Sequence, residues 1–161
     1  IIRERDDITK DRFDHIIEAA AVLDVKDSLE LDGLFKGIAG IVSKRLGLSY
    51  EDILSRLWSR EKEGSTAITP TLAIPHIVIG GKHIFDIFLI RIKKGVYFSD
   101  SAENVHAVFV LVGTKDEKNF HLRSLAAIAQ IVQGADFDKR WQCARNDNEL
   151  KDLVLLSERK R

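Results

Sequence analysis

Apolar positions change period along the chain. In the first third they recur at i, i+3, i+4 and i+7, the spacing of one helix face. Phe13, Ile16, Ile17 and Ala20 form such a stripe, with Asp7 or Thr9 placed to cap it. Ala21 to Val25 reads as a short strand. Asp32 then caps a second helix carrying Leu34, Phe35, Ile38, Ile41, Val42 and Leu46, which Gly47 ends. Ser49, with Asp52 three residues on, has the spacing of a capping box and opens a third helix on Ile53, Leu54, Leu57 and Trp58. Arg60 falls near the end of that helix.

The middle of the chain changes to strand character. FDIFLIRI (85–92) and VHAVFVLV (105–112) are rich in β-branched and aromatic residues, bounded by Gly80-Gly81, Gly95 and Gly113. The second is apolar enough to be buried on both faces. Leu72 to Ile79 is a weaker strand, and Pro75 confines it to an edge or a strand end. Helical spacing returns in FHLRSLAAIAQIVQ, through Leu122, Leu125, Ala126, Ala129 and Val132 up to Gly134, and a last helix is expected over Asp147 to Leu156. Elements in this order predict an α/β or α+β layered domain, with a sheet covered by helices.

Composition narrows the picture. The 161 residues are 45% hydrophobic and 31% charged, which suits one compact domain. Lysine plus arginine and aspartate plus glutamate number 25 each, so the balanced charge gives no general attraction to nucleic acid or to an anionic membrane. The basic-aromatic run KGVYF does not change that, because no basic stripe accompanies it. Cys143 is the single cysteine and forms no internal disulfide or zinc cluster. No apolar run reaches the ~18 residues of a bilayer span, so direct membrane insertion is not expected. A cytoplasmic setting follows, either free or as the cytoplasmic domain of a membrane protein. The start at Ile1 and the SERKR end are expected of a domain cut from a longer protein.

The chemistry concentrates in REKEGSTAITPTLAIPH, residues 60–76. Pro75 fixes its own φ and biases Ile74 toward an extended conformation, so the backbone entering His76 is restrained. The stretch resembles the phosphohistidine signature of type-2 enzyme IIA domains of the bacterial phosphotransferase system, which looks like REREGSTGIGNGIAIPH. Arg60, Glu61, Glu63, Gly64, Ser65, Thr66, Ile68, Ala73, Ile74, Pro75 and His76 match as they stand. Ala67, Thr69 and Thr71 replace three glycines of the pattern, so the loop is expected to be reshaped. A second likeness lies in the strand Val108 to Val112, the turn GTKDEKN and His121-Leu122 opening a helix.

The resemblance implies an α/β domain with a mixed sheet flanked by helices over residues 14–156, a linker or extension over 1–13, and a charged tail at 157–161. It also implies a phosphoryl carrier in which His76 accepts phosphate from a phosphocarrier protein and passes it to an enzyme IIB-type domain. The chemistry agrees: a neutral imidazole is a nucleophile near pH 7. Arg60 offers a guanidinium fork, and Ser65 and Thr66 offer hydroxyls to phosphoryl oxygens. His121, in a first helical turn, suits an anion or holds the His76 ring. No metal or cofactor is required.

Plainer readings stand beside these. Arg60 suits a helix C-terminus, Ser65 and Thr66 suit a turn, and His121 suits a polar first-turn position. His15, His83 and His106 are assigned no chemistry, and Glu61 with Glu63 points in different directions rather than forming a catalytic pair. The alternative function is a regulatory IIA-like sensor, fused to a membrane transporter and read through phosphorylation or a ligand.

Overall fold

The computed structural model describes residues 4–134 and 136–161; of the expected N-terminal extension, residues 1–3 lie outside that range. The helix α1 (Arg12–Ala19) leads into β1 (Val22–Val25), followed by α2 (Leu31–Leu46) and α3 (Tyr50–Glu63). Three short strands, β2 (Ala67–Thr69), β3 (Leu72–Ala73) and β4 (His76–Ile79), precede the long strands β5 (Phe85–Val96) and β6 (Val105–Thr114). The chain closes with α4 (Lys118–Val132), α5 (Phe137–Cys143) and α6 (Asp147–Leu155). No helix among the described residues is long and apolar enough to cross a membrane.

The strands form one six-stranded mixed sheet in the order β1-β5-β6-β3-β2, with β4 also on β6. β5 and β6 are antiparallel, whereas β1 on β5 and both β3 and β4 on β6 are parallel. The strict alternation of β6 sorts its side chains. Ala107, Phe109 and Leu111 join a core built with α1, α4, α5 and α6, while Val108, Val110 and Val112 join the core under α2 and α3. Both faces are therefore covered, and β6 is buried along almost its whole length.

Pro75 breaks one extended segment into β3 and β4. It has no N–H for a ladder, yet its carbonyl still accepts from the Leu111 amide at 3.0 Å, so both pieces stay on β6. At the far edge, Arg56 donates to the Val78 carbonyl at 2.7 Å.

Several helix ends depart from expectation. Asp11 caps α1, exchanging side chain-to-amide hydrogen bonds with Asp14 in a reciprocal box, so neither Asp7 nor Thr9 is the cap. α2 starts at Leu31 with Glu30 as N-cap, and Asp32 pairs with Lys36 at 2.9 Å one turn on. Ser49 does cap α3, accepting from the Asp52 amide, but the Asp52 carboxylate turns to Arg56 rather than back to the cap. Gly47 ends α2 in the left-handed conformation, φ 67°. The core-facing stripe of α4 is Ser124, Ala127, Ile128 and Ile131, one position round from the expected one, which leaves Leu122 exposed. A serine in that stripe interrupts its apolar pattern. Two elements carried no expectation: β2, and α5, whose buried Phe137 and Trp141 are spaced i, i+4.

The C-terminal residues fold back onto α1. Arg161 and Arg159 both reach the fully buried Asp14 carboxylate, and Arg159 also donates to both oxygens of Asp11. Burial by itself would raise the Asp14 carboxyl, but the Arg161 hydrogen bond, the Asp11 amide and the Arg159 charge together hold it at about 2.

Candidate functional site

His76 is the first residue of β4, directly after the proline break. Its Nδ1 lies 2.8 Å from the Ile74 carbonyl, two residues back. A carbonyl only accepts, so that contact puts the ring proton on Nδ1 and the lone pair on Nε2. Arg60 Nε donates to that Nε2 at 3.2 Å. The arginine sits in the last turn of α3, and its Nη1 donates to the carbonyl of Gly64, the residue that caps the helix, at 2.9 Å. The end of α3 thus aims the guanidinium at the imidazole.

His121 comes from the first turn of α4. Its ring is edge-on to that of His76, centroids 5.3 Å apart. Burial, and secondarily the neighbouring His76, hold the His121 imidazole below the ordinary histidine value of 6.5, which favours its neutral form. Phe85, at the start of β5, stands edge-on to both His121 (5.8 Å) and Phe120 (4.9 Å). It faces Gly113 across the β5–β6 pair, and a Cβ at Gly113 would sit 2.8 Å from the phenyl ring. Only a residue without a side chain lets that ring lie beside the histidine.

The two hydroxyl residues are held differently. The Thr66 side chain is buried, and its amide and hydroxyl both donate to the Glu61 carboxylate, at 2.9–3.1 Å. Ser65 is exposed and its Oγ accepts from the Ala67 amide at 3.2 Å. Thr71, one of the three residues that replace glycine, donates to Asp138 on α5 at 2.9 Å.

A family profile described as "Phosphoenolpyruvate-dependent sugar phosphotransferase system, EIIA 2" matches residues 23–156, most of the chain. The chain belongs to this family. A nitrogen regulatory protein of Klebsiella oxytoca is 29% identical to the EIIA chain over 124 residues, covering 73% of this chain and 74% of its own. Two solved structures show the same fold. Nitrogen regulatory protein IIA-Ntr from Neisseria meningitidis aligns with TM-score 0.77 at 23% identity, covering 88% of this chain and 97% of its own. The complex of mannitol enzyme IIA with phosphorylated enzyme IIB from Escherichia coli aligns with TM-score 0.67 at 13% identity, covering 83% and 92%.

The EIIA fold brings Arg60 and His121 each against His76, and it keeps Ser65 and Thr66 in the turn between α3 and β2. Sequence reasoning missed the Ile74 carbonyl, Glu61, Phe85 and Gly113. Glu61 was visible in the motif, but its partner exists only because the chain reverses at Gly64. Phe85 and Gly113 carry no local signal.

Proposed function

We propose that this EIIA domain is a phosphoryl carrier with His76 Nε2 as the accepting atom. The observation that supports it is the 2.8 Å contact between His76 Nδ1 and the Ile74 carbonyl, which favours one tautomer. With its proton held on Nδ1 by Ile74, the lone pair on Nε2 faces Arg60. In the transfer, Nε2 attacks phosphorus in line, the N–P bond forms, and the donor's bond to phosphorus breaks with its electron pair leaving on the donor. The Nδ1 proton stays on the ring, and the Ile74 carbonyl offsets the positive charge that the ring acquires. Arg60 moves from the nitrogen to the phosphoryl oxygens, where its fork holds two of them. Neutral His121 donates an N–H to the same group without adding a charge that repels the imidazole. Ser65 supplies a hydroxyl at the mouth, and Thr66 holds the turn through Glu61. The activity is phosphotransfer through a phosphohistidine, with a phosphocarrier protein as donor and an enzyme IIB-type domain as acceptor.

The test is incubation with phosphoenolpyruvate, enzyme I and the cognate phosphocarrier protein, with a small phosphoryl donor as control. Wild type should gain acid-labile phosphate and His76→Ala none. Equal, negligible incorporation from both donors by both proteins overturns the reading.

A regulatory use of the same carried phosphate is favoured by the relative named as a nitrogen regulatory protein. Here the loaded and empty forms bind a partner, such as a transporter, with different affinity. A chase separates the uses. Label that drains to an IIB-type domain marks the sugar route, whereas label that persists while partner binding changes marks the regulatory one.

A further inference from the structure

A second site lies where α4 packs beside the α1 cap and the C-terminal residues. The α1 cap, α4 and the C-terminal residues enclose a cleft of about 660 Å³, a size that holds a metabolite, since such sites run from about 300 to 1,000 Å³. Two buried polar groups at this cleft have no partner. Ser124 is 1% exposed, and its Oγ makes no hydrogen bond. The Arg159 side chain is 4% exposed and lies over the Phe13 ring; its Nη2 is taken by Asp11 and Asp14, but its buried Nε has no acceptor. Buried polar groups in native proteins are almost always hydrogen-bonded, so two at one cleft call for a ligand that accepts.

The charges point to the ligand's sign. Of the carboxylates that line the cleft, Asp11 is matched by Arg159 and Glu117 by Arg12, while Asp116 accepts from the His83 amide at 3.0 Å. The side chains of Arg123 and Lys160 also line it, and neither meets a carboxylate among the described residues. Phe120 and Ala127 supply an apolar wall.

We infer that this cleft binds a small organic anion, its oxyanion group on Arg123, Lys160 and the Ser124 hydroxyl and its apolar body against Phe120. Binding needs no phosphoryl group on His76. It does reach the first site, because Phe120 precedes His121 in sequence and its ring meets Phe85, which meets His121.

The test is titration of the ¹⁵N-labelled chain with phenyl phosphate and, separately, with phenylacetate, both at millimolar concentration. Expected are saturable shifts at the Ser124 and Lys160 amides and at the Arg159 Nε–H, carried on to the His121 ring. Binding of either probe supports the site and identifies the preferred head group. The double variant Arg123→Glu/Lys160→Glu, both exposed positions, should keep the wild-type spectrum elsewhere. It should raise Kd by at least about tenfold, the scale expected for reversing two rim charges. No saturable shift with either probe, shifts confined to the Arg60–His76 loop, or an unchanged Kd in the double variant each overturns the inference.

Discussion

Arg60 Nε and His76 Nε2, sixteen positions apart in sequence, share a 3.2 Å hydrogen bond in which the arginine covers the lone pair that the proposed transfer uses. In the proposed transfer that same arginine turns to the phosphoryl oxygens. Arg60→Ala should cut the phosphorylation rate by about 10²–10³, the usual loss for one preorganised donor. Arg60→Lys should stay folded and still be slow, because an ammonium lacks the planar fork. A time course of acid-labile phosphate checks both; wild-type rates in the two variants would leave Arg60 as a helix-end residue.

The His121 imidazole should titrate with a midpoint below 6.5, read from its ring carbon-proton shifts. Its folded-state value is depressed, so as pH falls below 6.5 the unfolded chain takes up the proton first. The stability linked to this group is full above 6.5 and is lost as pH falls through the folded midpoint. Replacing His76 by Gln removes the smaller, charge-based cause, so the His121 midpoint should rise slightly and remain below 6.5.

Gly113→Ala tests the packing behind His121. The new methyl meets the Phe85 ring at 2.8 Å, so the variant should lose about 1–3 kcal/mol of stability as an overpacked position. The His121 ring signals should shift with it. Denaturant unfolding and the ring spectrum are the two readouts.

Much of this site was legible locally. Pro75 before His76 announced a restrained residue, and Arg60 at the end of an amphipathic helix announced a cation beside the same loop. His121 was legible only through the family pattern, because a histidine in a first turn has no distinguishing period. The face of α4 was read one position off since Ser124 breaks the apolar stripe, and that serine borders the cleft beside the α1 cap. The layered α/β fold followed from helical spacing at both ends and β-branched runs between them. What escaped was long-range: the Phe85–Gly113 contact, the Glu61–Thr66 bonds, and the C-terminal arginines on Asp14.

Those arginines yield an acid-stability test. The Asp14 carboxyl, held at about 2 against an ordinary 3.8, stays ionised in the fold after the unfolded chain has protonated it. Its contribution is complete above 3.8 and disappears as pH falls toward about 2. Asp14→Asn should be less stable at pH 7 and show a flatter acid limb in that window, measured by denaturant midpoints from pH 5 down to about 2.

The His76 ring takes its orientation from Ile74 and Arg60, both within seventeen residues of chain, whereas the β2–β3 hairpin beside it is tied to distant α5 through Thr71 and Asp138. The same hairpin is also sewn into the sheet, because the Thr71 carbonyl accepts from the His106 and Ala107 amides and the Ile74 amide donates to the Thr66 carbonyl. The residue whose carbonyl orients the imidazole is thus bonded on its other side to the hairpin. A disturbance at α5 therefore reaches the ring only by breaking backbone pairing, and the aim of the imidazole is insured by the sheet rather than by the side-chain tie.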